Sequence, residues 1–433
     1  MNRRILKLAI PSILANITVP LVGMVDLAVA GRLADVSAIG AIALGSMLFD
    51  VLSWNMGFLR VGTGGLTAQA YGRRDFQGAA KAFTQGIATA LAVALVVLAI
   101  QWVFVELAFS LMDASEHVAD LARRYFFIRV WAAPASLSLF VFKGWFIGMQ
   151  NTVSPMVVDV TVNVVNLVAS WALALETPLG FSGIALGTVV AQYTGLVLAS
   201  VLFVRYYRRL FPYFSIRRDV HLRDMRKYFA MNGNLFLRSL CMLAVYTGFT
   251  ALAAHFGDVM LAVGSIMMKL LLFYSYFLDG FAYAGEALAG KYIGAKDRPN
   301  LVKSVRLLFL WSLIIGLFST VIYGWGGASM LEWVSDNAEV VTASEPFLIW
   351  LLLMPLLSSA AFMWDGIFIG ATAATAIRNS MLWSVLAFYL VFYLTRATVG
   401  GQALFLAYAA HLLARALYLT LTARREIFIK PFA

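Results

Sequence analysis

The stretches "FKGWFIGMQ" (142–150) and "WDGIFIGAT" (364–372) decide how this chain folds, because they are one segment written twice. Gly144 matches Gly366, and the run Phe146, Ile147, Gly148 matches Phe368, Ile369, Gly370. Upstream, Pro134 and Pro355 correspond within one residue. The offset is about 222 residues, roughly half of a 433-residue chain, and "LTAQAYGRRD" (66–75) repeats at the same distance as "LAGKYIGAKD" (288–297). Each copy of that second pair is a helix end running into a glycine and a basic loop. The two opening helices form a third, weaker match. The chain is therefore a duplication, and the question is what kind of unit was duplicated.

Composition answers it. The sequence is 62% hydrophobic and 13% charged, with mean hydropathy +0.83, values outside those of soluble domains. Apolar runs of about 20 residues, long enough to cross a hydrocarbon core roughly 30 Å thick, recur from end to end. The run "TALAVALVVLAIQWVFV" (89–105) lacks the apolar and polar alternation of barrel strands. The expected fold is an all-α polytopic membrane protein. Twelve helices are expected near 6–31, 38–70, 82–108, 122–149, 154–176, 183–206, 228–255, 260–291, 302–326, 345–371, 377–396 and 402–423. Because six is even, the two halves have parallel topology and are expected to be related by a pseudo-two-fold axis along the membrane normal, an arrangement found in transporters.

Basic residues set the orientation. Arg3, Arg4 and Lys7, then Arg73, Arg74 and Lys81, then Lys291, Lys296, Arg298 and Lys303 fall on one side. The connection "RYYRRLFPYFSIRRDVHLRDMRK" (205–227) is strongly basic, whereas "LEWVSDNAEVVTASE" (331–345) has no Lys or Arg. The positive-inside rule places both termini in the cytoplasm. It also explains the net charge of +11 without nucleic acid. The chain divides into an N-terminal six-helix lobe (1–210), a basic cytoplasmic linker (211–227) and a C-terminal six-helix lobe (228–433). The start resembles a secretory signal, but Asn16, Pro20 and Asp26 interrupt its apolar run, so it reads as an uncleaved first helix. The single cysteine, Cys241, has no partner in the chain for a disulfide or a thiolate metal site.

An ionised side chain at the bilayer centre costs about 2.5 to 3.5 kcal/mol on insertion scales, so each needs an internal partner or a water-filled cavity. Asp26, Asp50, Arg60, Arg129, Lys143 and Asp159 are such residues in the first half, and Arg238, Lys269, Asp279, Glu286 and Asp365 in the second. Asp26 follows Pro11 and Pro20 on the first helix, and prolines remove backbone hydrogen bonds and permit bending. An acid on a bendable helix, taken out of water, suits a protonation switch; a fixed ion pair is the plainer reading. Asp159, Asn163, Asn166 and Ser170 are spaced 4, 3 and 4 apart, which puts them on one face of the fifth helix. That stripe can hydrogen-bond a protonated Asp26, ligate a small cation through oxygen, or tie helices together. Asp279 and Glu286 lie two turns apart on one face and read equally well as cation sites or as counter-charges for Arg238 and Lys269. Neither GxxxxGK[ST], HExxH nor GxSxG occurs, so an enzyme is not expected, and any uphill transport must draw on an ion gradient.

With these residues in view, the chain resembles the multidrug and toxic compound extrusion (MATE) family, DinF-like branch. The resemblance rests on "NITVPLVGMVDLAVAGRL" (16–33), "FLRVGTGGLTAQAYG" (58–72), "APASLSLFVFKGWFIGMQ" (133–150), "LDGFAYAGEALAG" (278–290) and "DGIFIGATAATAIRNSM" (365–381). It implies two six-helix lobes with a cleft alternately open to each side, and export coupled to inward H+ or Na+. Asp26 matches the family's helix 1 acid, Pro11 its kink proline and Asn166 its helix 5 asparagine. Asp365 matches its helix 10 acid, and Thr188 a polar position on helix 6. Two departures stand out. Ser170 occupies a position where relatives carry a second helix 5 acid, and Gln192 one where an acid often follows the threonine. The first leaves Asp26 without its usual second carboxylate, which weakens a Na+ site.

The expected function is a secondary antiporter in the bacterial cytoplasmic (inner) membrane, exporting cationic or lipophilic organic compounds. H+ is the expected coupling ion, with Asp159, Asn163 and Asn166 beside Asp26, and Ser170, Thr188, Gln192, Asp279, Glu286 and Asp365 at the substrate cleft. Na+ coupling and a flippase for lipid-linked or lipophilic substrates are the alternatives; a non-transporting scaffold is the reading of a different class. No cofactor or metal is expected. The expected partners are a small organic molecule and the lipid bilayer, and the chain is expected to act as a monomer.

Overall fold

The computed structural model describes residues 1–32, 37–110, 115–334 and 337–432, apart from the side chains of residues 19, 21, 22, 50–54, 222, 223, 227 and 328. The side chain of Asp50, one of the intramembrane charges above, therefore lies outside the described residues, as do Ser335 and Asp336 of the expected outer segment.

The described residues form twelve long helices and no strand: α1 (Asn2–Ala30), α2 (Ser37–Met56, continued after Gly57 by Phe58–Arg73), α3 (Phe76–Ser110), α4 (Glu116–Gly148), α5 (Val153–Leu175), α6 (Phe181–Tyr207), α7 (Leu222–Ala254), α8 (Asp258–Gly294), α9 (Arg298–Val334), α10 (Ala338–Gly370), α11 (Ala374–Val399) and α12 (Gln402–Glu426). All but α2 contain windows long and apolar enough to cross a membrane, and α2 carries the shorter apolar stretch Ser37–Phe49. Large apolar side chains such as Leu95 (68% exposed) and Val103 (73%) point outward. Hydrocarbon, not water, is the solvent that such a surface suits.

Two compact units emerge. One comprises Leu14–Thr67 and Asp75–Phe229, the other Met1–Ile13, Ala68–Arg74 and Ala230–Ala433. The division passes through α1 two residues after Pro11, so the proline-bearing helix contributes to both. In the first unit α5 packs most extensively on α6, and α3 and α2 pack on α4. In the second, α11 packs on α12, and α8 and α9 on α10.

The 222-residue repeat is visible in the backbone. A Cβ on Gly144 would strike the carbonyl of Arg60, and one on Gly366 would strike the carbonyl of Ala282. Arg60 and Ala282 are themselves one repeat apart, so both glycines are kept by the same helix contact, α4 on α2 and α10 on α8. The helix ends repeat as well. Gln150 (φ 64°) and Thr372 (φ 54°) are left-handed, as are Arg74 and Lys296 (both φ 57°). This is the conformation of a helix C-terminus that glycine normally supplies. Asn151 N–H bonds Phe146 C=O at 2.9 Å and Ala373 N–H bonds Phe368 C=O at 3.0 Å, closing the same capping turn twice. Asp75 and Asp297 then start α3 and α9, accepting from Gly78 N at 2.7 Å and Asn300 N at 3.1 Å.

Candidate functional site

Asp26 is fully buried on α1 and surrounded by donors. The Tyr125 hydroxyl on α4 donates to its Oδ2 at 2.9 Å. Asn166 Nδ2 on α5 lies 3.5 Å from Oδ1, and Thr188 Oγ1 on α6 lies 3.4 Å from Oδ2. Behind them, Asn166 Nδ2 is 3.0 Å from Thr188 Oγ1 and 3.3 Å from Ser170 Oγ, which bonds the carbonyl of Ile184 at 3.3 Å. Arg129 approaches from one turn along α4. Its Nη1 donates to the Tyr125 hydroxyl at 2.7 Å and to Ser46 Oγ at 3.3 Å, while its guanidinium lies 4.7 Å from the centre of the Phe49 ring.

Small residues bring these helices close enough. Gly183 and Gly187, four apart on α6, take the α5 backbone at Leu173 and Ser170 where a Cβ would collide, the close approach that small-xxx-small spacing permits. Gly45 on α2 leaves room for the Tyr125 ring. The packing around them is apolar: Val29, Ala30, Ala38, Ile42, Ala174, Ile184 and Ala185 form one buried cluster with Tyr125. Asn163 joins at a different level, donating from Nδ2 to the carbonyl of Thr18 at 2.9 Å and so tying α5 to α1 just before Pro20. α1 runs unbroken through half-buried Pro11 and exposed Pro20.

The donors suit an ionised Asp26. A protonated Asp26 becomes a donor itself, and the acceptor at hand is Asn166 Oδ1, which is buried and has no hydrogen-bond partner among the described residues. Turning that amide over exchanges a donor for an acceptor on the same carboxyl group. One side-chain rotation therefore gives Asp26 an Asn166 partner in either protonation state.

Beside the network lies a cavity of about 180 Å³. Thr188, Gln192 and Arg129 line it together with Lys143, Ser136 and apolar side chains including Phe49, Met56, Val97 and Phe140. Thr188 and Arg129 thus belong both to the cavity wall and to the surroundings of Asp26. Asp159 stands apart from the network, although it shares a helix face with Asn166. It pairs with the ammonium of Lys143, a residue on α4 that the sequence spacing does not connect with it.

The C-terminal unit is built differently. Asp365 on α10 is 5% exposed, and its Oδ2 accepts from both Arg238 on α7 and Arg415 on α12. It is the centre of a buried ion clamp joining three helices. Glu286 is fully buried on α8 and Asp279 half-buried. One repeat after Asp159, Asn163, Asn166 and Ser170 come Met381, Val385, Phe388 and Phe392. Phe388 and Phe392 are core residues, 0% and 2% exposed. The polar stripe therefore has no counterpart on α11.

Reasoning from the sequence alone overlooked Tyr125 and Arg415. An aromatic in an aromatic-rich membrane chain carries no signal by itself. The spacing of Tyr125 and Arg129, one turn apart, was the clue, since an intramembrane arginine demands an acceptor on its own helix face or across from it.

Known proteins share this architecture. The family model described as MatE matches residues 11–172 and 235–404. The chain is 34% identical to DNA damage-inducible protein F of Escherichia coli (strain K12), over 98% of its own length and 92% of that protein. It is 21% identical to the probable multidrug resistance protein NorM of Photorhabdus laumondii, over 79% of its length and 76% of that protein. A crystal structure of MATE in the bent conformation shares the fold with a TM-score of 0.87 at 17% identity, covering 98% of this chain and 95% of that one. An outward-facing multidrug resistance MATE family transporter gives a TM-score of 0.86 at 16% identity, with 98% and 95% covered.

Proposed function

The chain belongs to the MatE family, and on that premise we propose that it is a secondary antiporter exporting cationic or lipophilic organic compounds across the bacterial cytoplasmic membrane in exchange for H+ taken up by Asp26. The supporting observation is the setting of Asp26: a fully buried carboxylate on a proline-bearing helix, held by three donors, two of which connect it to the wall of a cavity through Thr188 and, by way of Tyr125, through Arg129. Protonation from the outer side removes the charge those donors hold, α1 shifts about its prolines, and the cavity releases its occupant. Loss of the proton to the cytoplasm resets the site. Both termini are cytoplasmic on this reading, and the chain works as a monomer without a cofactor.

One proton moving inward supplies about 1.36 kcal/mol per pH unit and about 2.3 kcal/mol per 100 mV. If a monovalent cation leaves for each proton, the electrical part cancels and only the pH part drives export.

The test is efflux of ethidium from proteoliposomes under imposed H+ or Na+ gradients. An H+ gradient is expected to drive efflux in the wild type and not in Asp26→Asn. Undiminished efflux by Asp26→Asn, or a requirement for Na+, would overturn the proposal. Thr188 Oγ1 lies 3.4 Å from Asp26 Oδ2, and Ser170 Oγ lies behind it against Asn166 Nδ2 at 3.3 Å; hard cations take oxygen ligands of this kind, and the Na+ arm tests that reading.

A further inference from the structure

Arg129 and Tyr125 lie on α4, and their geometry is directional. Arg129 has only donors, so its 2.7 Å bond to the Tyr125 hydroxyl uses that oxygen as acceptor. The hydroxyl's single proton is thereby directed away from Arg129 and toward Asp26 Oδ2, 2.9 Å off. Ser46 on α2 steadies the guanidinium at 3.3 Å, and the Phe49 ring lies against it. The other described groups facing Asp26 are Asn166 on α5 and Thr188 on α6, neither of which titrates. Lys143 and Asp159 pair with each other, and Lys143 lines the same cavity as Arg129.

From this chain of bonds we infer that Tyr125 and Arg129 are positioning residues that set how readily Asp26 binds a proton. The inference rests on the reading of Asp26 as the proton-coupling acid. Tyr125 favours the ionised carboxylate by donating to it, and Arg129 makes it a committed donor by filling its acceptor side.

The experiment is a pH titration of the infrared carboxylic-acid band of the purified, full-length protein in lipid, with Asp26→Asn identifying the band that belongs to Asp26. Tyr125→Phe keeps the ring and removes the hydroxyl. Its midpoint is expected about one pH unit above wild type, a tenfold gain in proton affinity, the order expected from losing one hydrogen bond to a charged group. Arg129→Gln is expected to move it in the same direction, and the double variant by less than the sum. Phe181→Leu, which disturbs a ring near Tyr125 without touching the hydroxyl, is expected to leave the midpoint in place. Retention of the wild-type midpoint by Tyr125→Phe would overturn the inference while leaving Asp26 as the coupling acid. A shift of equal size in Phe181→Leu would also overturn it, since packing alone would then account for the effect. If Asp26→Asn removes no titrating band, the reading of Asp26 fails and the inference with it. Should Tyr125→Phe not fold, Arg129→Gln takes its place: an upward shift supports the inference and a wild-type midpoint overturns it.

Discussion

Replacing Asp365 by asparagine separates two accounts of the most polar feature of the C-terminal unit. Asp365 matches an acid that the family resemblance places at the substrate cleft, yet its Oδ2 accepts from both Arg238 and Arg415, and the residue is 5% exposed. Hydrogen bonds to charged groups contribute about 1.5 to 3 kcal/mol each, so the two together are worth roughly 3 to 6. Asparagine keeps one neutral acceptor, restoring about 1 kcal/mol. It leaves two guanidinium groups facing each other without the carboxylate, and removing one partner of a buried pair costs about 3 to 5 kcal/mol in measured cases. Asp365→Asn is therefore expected to destabilise the protein by about 3 kcal/mol, more than a hundredfold in the unfolding equilibrium. The assay is thermal unfolding in detergent followed by tryptophan fluorescence. Adding Arg415→Met removes one of the stranded cations, so the double variant should be more stable than the sum of the singles implies. An Asp365→Asn variant that melts like the wild type while transport is lost would refute this, because Asp365 would then be a transport site and not a clamp.

The remaining predictions concern the repeat. Gly144→Ala and Gly366→Ala should each lose about 1 to 3 kcal/mol, since both Cβ atoms meet a backbone carbonyl that no rotamer can move; matched drops in melting temperature check this, and a large drop in only one would contradict the equivalence of the two contacts. Arg74→Gly should raise stability by up to about 1 kcal/mol, because an exposed arginine holds a left-handed conformation that glycine adopts without steric penalty. A fall in melting temperature there would mean that the arginine side chain contributes more than its backbone loses.

Which parts were legible in the sequence follows from what fixes each part. The helices are long apolar runs because the bilayer demands them, and hydropathy finds each of them with its ends displaced by up to about eight residues; α9 runs on from its expected end at 326 through Glu332 to Val334. The repeat showed because steric contact admits only glycine at positions 144 and 366, so the same letters recur. The association of Asp26 with Asn166 and Ser170 was legible from the spacing on α5 together with the family resemblance. Asp159 shares that spacing yet pairs with Lys143, because a carboxylate in a membrane turns to the nearest cation whichever helix carries it. The Asp365 clamp was hidden for a related reason. Arg238 and Arg415 come from α7 and α12, 177 positions apart in the chain, and only packing places them on one oxygen.

That Asp26 carries the proton that drives export is tested most directly by watching the proton itself. Proteoliposomes holding a pH-sensitive dye and clamped at zero membrane potential are given an ethidium gradient with no pH gradient and no Na+. Proton movement opposite to ethidium, about one for one, is predicted in the wild type, and none in Asp26→Asn. Proton movement of wild-type size in Asp26→Asn, or ethidium flux that proceeds with no proton movement at all, would contradict it.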